Sequence, residues 1–187
     1  MTATHAVPTT RRRRWRAFFA DRKGATAVEF ALIAPAFIAL LVAIIQTFLV
    51  FFAQQLLEQV VNQSSRAILT GQAQAQGMTQ AQFASAVCSN VVILFDCSGL
   101  MIDVQVANSW SSTNTALPSL TYDGNGKVTN VWQFNPGNQG DIVVVRVMYL
   151  WPVFLGPLGF TLANQPNSNS RLIMSSTAFM NEAFVNS

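Results

Sequence analysis

Lys23-Gly24-Ala25-Thr26-Ala27-Val28-Glu29-Phe30 leads straight into an apolar run that ends at Leu57. Between Phe30 and Leu57 there is no Asp, Glu, Lys, Arg or His, and most residues are Leu, Ile, Val, Phe or Ala. Coiled as a helix this run measures roughly 42 Å, more than the roughly 30 Å of a bilayer's hydrocarbon core. A chain of 187 residues is too short to wrap such a helix on every side with its own protein. The reading that decides the fold is therefore a membrane-spanning helix with a modest domain carried behind it. Glu29, at the mouth of that helix, is the odd residue. An ionised carboxylate costs about 2.5–3.5 kcal/mol at mid-bilayer and much less near the interface, so it calls for a compensating positive charge. The helix's own amino end supplies part of one. A cut after Gly24 would place the new α-amine of Ala25 one turn away, and in a packed bundle the amine of a neighbouring copy would serve equally.

The charge is unevenly placed. Residues 1–24 hold Arg11, Arg12, Arg13, Arg14, Arg16, Arg22 and Lys23 against Asp21, a net +6, while the remainder carries four basic and seven acidic residues, a net −3. Four consecutive arginines are also a nucleic-acid signal. Just ahead of a span, however, they hold that end in the cytoplasm by the positive-inside rule and meet anionic lipid, so no nucleic-acid partner is expected. A secretory signal peptide needs an apolar core of only about 7–15 residues and an A-x-A-like exit, which Phe51-Phe52-Ala53 fills poorly. The arginines admit a twin-arginine signal, against which Glu29 and the same missing exit count.

Gly24 followed by Ala25, with Glu29 and Phe30 at the fifth and sixth positions of what remains, resembles the cleavage site of type IV prepilins. The wider A-V-E-F-A-L-I-A-P, Ala27 to Pro35, is similar to the TadE-like (TadE/TadF) pseudopilins of tight-adherence, or Flp-type, pilus systems. This resemblance implies a leader cut between Gly24 and Ala25 by a prepilin peptidase at the cytoplasmic side of the inner membrane. It implies a minor pilin or pseudopilin that contributes to Flp/Tad pilus assembly and surface adhesion. Its partners would be other pilin-like subunits and the Tad secretion machinery. Glu29, Phe30 and Pro35 become the assembly residues. Pro35 removes one helical hydrogen bond and would bend the axis, which would let subunits pack or shear. Gln46 and Thr47 are the polar residues near mid-span and suit a bond to a partner helix. TadE-like chains often carry a second glutamate around the position of Gln46.

Beyond the span, Leu57, Val60, Val61, Ser64 and Ile68 fall at three-to-four spacing, predicting an amphipathic continuation of the helix that stops at Gly71. Arg66 and then Thr70-Gly71-Gln72 are similar to the TadE-like pattern at this distance from the membrane, although a solvated stem residue accounts for Arg66 as well. The segment 79–88 predicts a short helix with a Thr79/Gln82 capping box and Met78, Phe83, Ala86 and Val87 inward. Cys88 and Cys97 are the sole cysteines, and in an oxidising periplasm they are expected to pair as a disulfide. A metal would need further ligands, and the sole histidine, His5, lies in the leader.

Strands are expected at 100–106 and at 120–122 with 128–134 around the Asp123-Gly124-Asn125-Gly126 turn. That turn superficially matches the start of an EF-hand loop, but Val128 stands where the glycine is required. The segment 141–152 reads as a central strand covered on both faces, with Arg146 paired or at an edge. A Gly/Pro loop follows over 153–166, its Phe154, Leu155, Leu158 and Phe160 fit for core, subunit contact or membrane. A closing strand spans 171–184. Gly140 to Val147 with Tyr149, Trp151 and Pro152, and the F-x-N-E-x-F tail, are similar to TadE-like tails, but Met180 and Ala183 stand where arginine and proline are usual.

The expected fold is thus α+β: a basic cytoplasmic leader (1–24), a transmembrane and stem helix (25–70), and a small antiparallel-sheet periplasmic head (71–187). No catalytic residue, metal, cofactor or small-molecule substrate is expected. There is no histidine past the leader, no G-x-S-x-G, no P-loop, and the carboxylates Asp96, Asp103, Asp123 and Asp141 are scattered. Two other readings stay open: a signal-anchored periplasmic binding module that never enters a pilus, and an exported soluble enzyme cut beyond the apolar run.

Overall fold

A computed structural model describes residues 24–91, 94–154, 156, 159–166 and 168–183. The arginine-rich segment up to Lys23, and with it all of the leader except Gly24, lies outside the described residues, as do Leu155, Leu158 and Phe184. The element order is a long helix α1 (Ala25–Leu69), a single turn α2 (Gln72–Ala75), a helix α3 (Gln80–Ser89), and strands β1 (Met101–Ala107), β2 (Ile142–Pro152) and β3 (Ser170–Met180). The chain divides into two compact units between Ile44 and Ile45. The expected α+β layout, a long amino-terminal apolar helix ahead of a small antiparallel sheet, is the one observed.

In the first unit, the apolar side chains of α1 face outward all round. Phe30, Leu32, Ile33, Phe37, Ile38, Leu40 and Ile44 are all exposed, and Pro35 lies inside the helix. Only 11% of the most apolar window of α1 is buried, the reverse of a soluble protein's core helix. The helix is long and apolar enough to cross a membrane.

In the second unit, the rest of α1 turns amphipathic. Val50, Ala53, Leu57, Val60, Val61, Ser65 and Ile68 are buried, whereas Gln55, Glu58, Gln59, Asn62 and Gln63 face solvent. The inward serine is Ser65 and not Ser64, because the row Leu57, Val61, Ser65 advances by four and lies nearer the centre of the face. Gly71 breaks the helix with φ 75°, a left-handed conformation that glycine adopts without penalty. Helix α3 starts on the predicted capping box: the Thr79 hydroxyl accepts from the Gln82 backbone N–H, and the Gln82 side chain accepts from Thr79 N at 2.8 Å. Phe83 and Val87, one turn apart, point inward with Met78 and Ala84 beside them, while Ala86 is exposed. Cys88 at the end of α3 is joined to Cys97 by a disulfide, their Cα atoms 5.6 Å apart.

The sheet has the order β1-β2-β3, antiparallel throughout, so β2 is central as its unbroken β-branched run requires. On one face Ile102, Val104, Val143, Val145, Val147 and Ile173 join Leu57, Val61, Ile68, Phe83, Val87 and Phe95 in the main core. On the other, Met101, Met148 and Leu172 form a smaller core under Leu120, Val128 and Trp132. The long connection from β1 to β2 thus works as a lid on the sheet. The predicted hairpin within it shrinks to one bridge, Tyr122 with Val128, and Phe134 makes a single parallel bridge to Val104. Residues 128–134 cross that face and touch the edge of β1 once, and Gly137 (φ 68°) then turns the chain away.

Candidate functional site

Two regions of this fold bear on function: the start of α1 and the seat of the head on its second half. Gly24 opens the described residues, and a Cβ built on it meets nothing within 4 Å. Its glycine identity therefore answers to no packing need among the described residues. Glu29 and Phe30 follow within two turns of helix, both exposed, Phe30 at 73%. Pro35 is exposed as well. Gly24, Glu29, Phe30 and Pro35 thus share one short, outward-facing stretch at the entry of the apolar helix, on which Ala25 is the first helical residue.

The head is held to α1 at three levels. Gln46 Nε2 donates to the Phe154 carbonyl at 2.6 Å, Gln54 Nε2 donates to the Met174 carbonyl at 2.8 Å, and the Glu182 backbone N–H donates to the Leu69 carbonyl at 3.0 Å. Gln46, expected to face a partner helix, is instead buried and spent on this chain's own loop. Its Oε1 is buried without a hydrogen-bond partner.

Arg146 and Asp103 stand opposite each other in the β1-β2 register, both buried. Arg146 Nε donates to Asp103 Oδ2 at 3.0 Å, and Nη2 donates to the same oxygen. Asp103 also accepts from the Gln133 backbone N–H at 2.9 Å and from Gln105 Nε2. So satisfied, the pair locks the lid to the sheet. The adjoining cavity, lined by Gln105, Ser112, Asn114 and Arg146, holds about 60 Å³, well under the roughly 300 Å³ at which ligand sites begin. Among the described residues no group of three or more His, Cys, Asp or Glu side chains is placed to hold a metal ion.

The tail of β3 is fixed by Asn181, whose Nδ2 donates to the carbonyls of Pro136 and Asn138. Gln74 Nε2 donates to the same Pro136 carbonyl at 2.9 Å, so the end of the stem, the lid and the tail meet there. Sequence reasoning gave neither residue a role. The N-E of the tail, read above only as a resemblance, was the available signal for Asn181.

A long outward-facing apolar helix followed by one small α+β head defines a class, that of chains built from a helix long and apolar enough to cross a membrane and a single head. Within it, residues 24–66 match the family described as TadE-like protein. The match starts at Gly24 and covers most of α1. TadE-like chains are pilin-like proteins associated with Tad pili, and it is to these that this segment is similar. No curated protein and no solved structure matches the chain.

Proposed function

We propose that this chain is a TadE-like minor pilin or pseudopilin: inserted in the inner membrane with its arginine-rich leader in the cytoplasm, cut between Gly24 and Ala25 by a prepilin peptidase, and assembled with other pilin-like subunits in a Tad system. The observation that carries the reading is the family match beginning at Gly24 and running through Glu29 into the apolar helix. The open space around Gly24 supports it, because a glycine without a packing reason suits recognition by an outside enzyme. Cleavage would free the amine of Ala25 close to Glu29, and the positive amino end of the helix adds to the compensation of that carboxylate. In a bundle, the Glu29 of one copy pairs equally well with the amine of the next. The exposed apolar side chains that follow supply the packing surface. The head lies on the periplasmic side, where the Cys88–Cys97 disulfide is stable.

The test is the mature amino terminus. Co-expressed with the cognate prepilin peptidase, the chain should yield a product beginning at Ala25 by mass spectrometry, and Gly24→Leu should remain uncut. A chain that keeps its arginines beside an active peptidase reduces the protein to a signal-anchored module.

A further inference from the structure

The geometry points to a second membrane contact: Phe154 and Phe160, in the loop that follows β2, sit in the lipid of the head-side leaflet beside α1. This rests on the reading of α1 as a membrane span. A span beginning at Phe30 needs about 20 residues and so reaches about Leu49, which puts Gln46 inside the hydrocarbon. The exposed side chains agree, since Phe48, Phe51 and Phe52 are still outward and apolar and the first charge after them is Glu58. Gln46 lies about 9 Å back along the helix from Phe52 at 1.5 Å per residue. The bond from Gln46 to the Phe154 carbonyl therefore fixes the loop at lipid depth.

The apolar tip of the loop suits that depth. Phe154 is 79% exposed and Phe160 39%, which is costly in water and favourable in acyl chains. From Pro152 to Ser170 the sequence has no charged residue. Non-helical backbone is tolerated at membrane depth only when its polar groups are satisfied by protein. Here the Gly156 N–H donates to the Phe160 carbonyl at 2.8 Å, the Val153 N–H to the Asn169 carbonyl at 2.8 Å, and Gln46 caps the Phe154 carbonyl. Gln46 and Thr47 are the polar side chains in the run from Phe30 to Ala53, and the buried Gln46 is given to the loop. The occupant is lipid and not a second protein, because Phe154 is fastened at Gln46, where Phe48, Phe51 and Phe52 of α1 still present outward apolar side chains.

The full chain is reconstituted in phosphatidylcholine vesicles containing lipids spin-labelled at acyl carbon 5 or 12, with a thiol-reactive fluorophore at one introduced cysteine. The native cysteines are paired and do not compete. Probes replace Thr161, beside Phe160 and leaving Phe154 intact, Leu40 in the span, or Gln139 at the opposite end of the head. The Thr161→Cys probe is expected to be blue-shifted and quenched by the carbon-5 label, to lose that quenching when Phe154→Asp is added, and to lose part of it with Gln46→Leu. Gln139→Cys should stay unquenched. Quenching at Leu40→Cys by the carbon-12 label without any at Thr161→Cys overturns this inference and leaves the span intact. Absence of quenching at Leu40→Cys defeats the span itself. A blue shift at Thr161→Cys that no spin-labelled lipid quenches assigns the loop to protein contact and also overturns the proposal. Quenching that Phe154→Asp leaves unchanged does the same, because the dye would then be inserting by itself.

Discussion

The two parts of α1 make an instructive pair. Up to Ile44 large apolar side chains point outward on every side, whereas from Gln46 to Leu69 the same helix buries one stripe and turns Gln55, Glu58, Gln59, Asn62 and Gln63 to water. Both are good helix; what differs is who supplies the partner atoms. The first part leaves its apolar surface to be covered from outside the chain, and the second covers it with a sheet. The carboxylates repeat the contrast. Glu29 stands exposed, whereas Asp103 has Arg146, Gln133 and Gln105 around it inside the fold. A charge satisfied from within belongs to the architecture, and one left at the surface is available to something else.

The largest expected effect sharpens that last point. Asp103→Leu leaves Arg146 buried without its carboxylate, and chemical denaturation of the full chain in detergent should show the head destabilised by about 3–5 kcal/mol. Adding Arg146→Met should recover most of the loss. Glu29→Leu should leave head stability within about 0.5 kcal/mol of the parent while impairing assembly and sparing membrane insertion, read by fractionation and filament yield. Next, Leu57→Ala opens a hole in the main core and should cost about 2–5 kcal/mol, whereas Leu40→Ala in the outward part should change head stability by less than about 0.5 kcal/mol. Equal effects at the two leucines would abolish the distinction between the parts. Thr79→Ala removes one half of the capping box and should cost about 1 kcal/mol in the same assay.

The smallest effect is a titration. The Ser98 hydroxyl and then the Ser98 backbone N–H hold the Asp96 carboxyl below the ordinary carboxylate range, slightly opposed by burial. Because the folded pKa is the lowered one, its contribution to the Cys97–Gly99 turn is complete above the ordinary value. It disappears only as pH falls through the lowered value. Carboxyl chemical shifts should place the Asp96 midpoint below that of a model peptide, and Ser98→Ala should move it upward.

Much of this was legible because it depends on local spacing. The apolar run of α1, the stem stripe, the Thr79/Gln82 cap and the β-branched core of β2 each follow from periodicity within a few residues. The cysteine pair was legible from number and from the expected compartment. What escaped depends on register and on long-range seating. Nothing local says that Asp103 faces Arg146, since a one-residue slip would exchange the faces of β1. Residues 128–134 carry a strand-like pattern, but their apolar side chains Val128 and Trp132 serve as a cover over Met101 and Met148, so pairing stops after one bridge. Ala86 falls at helical spacing with Phe83 and Val87 and so reads as inward, but the inner face of the short α3 is filled by the Phe83–Val87 row and its neighbours. Gln46 reads as a polar side chain suited to a partner helix, and nothing local points to its actual partner, 108 residues further along the chain.

The three fastenings of the head, at Gln46, Gln54 and Leu69, are spread over about 34 Å of helix at 1.5 Å per residue. A tug on the end of β3 is therefore shared by bonds loaded in parallel along the rod, instead of being concentrated in one swivel at Gly71. A pull on the sheet is thus expected to pass into the upper rod along its length.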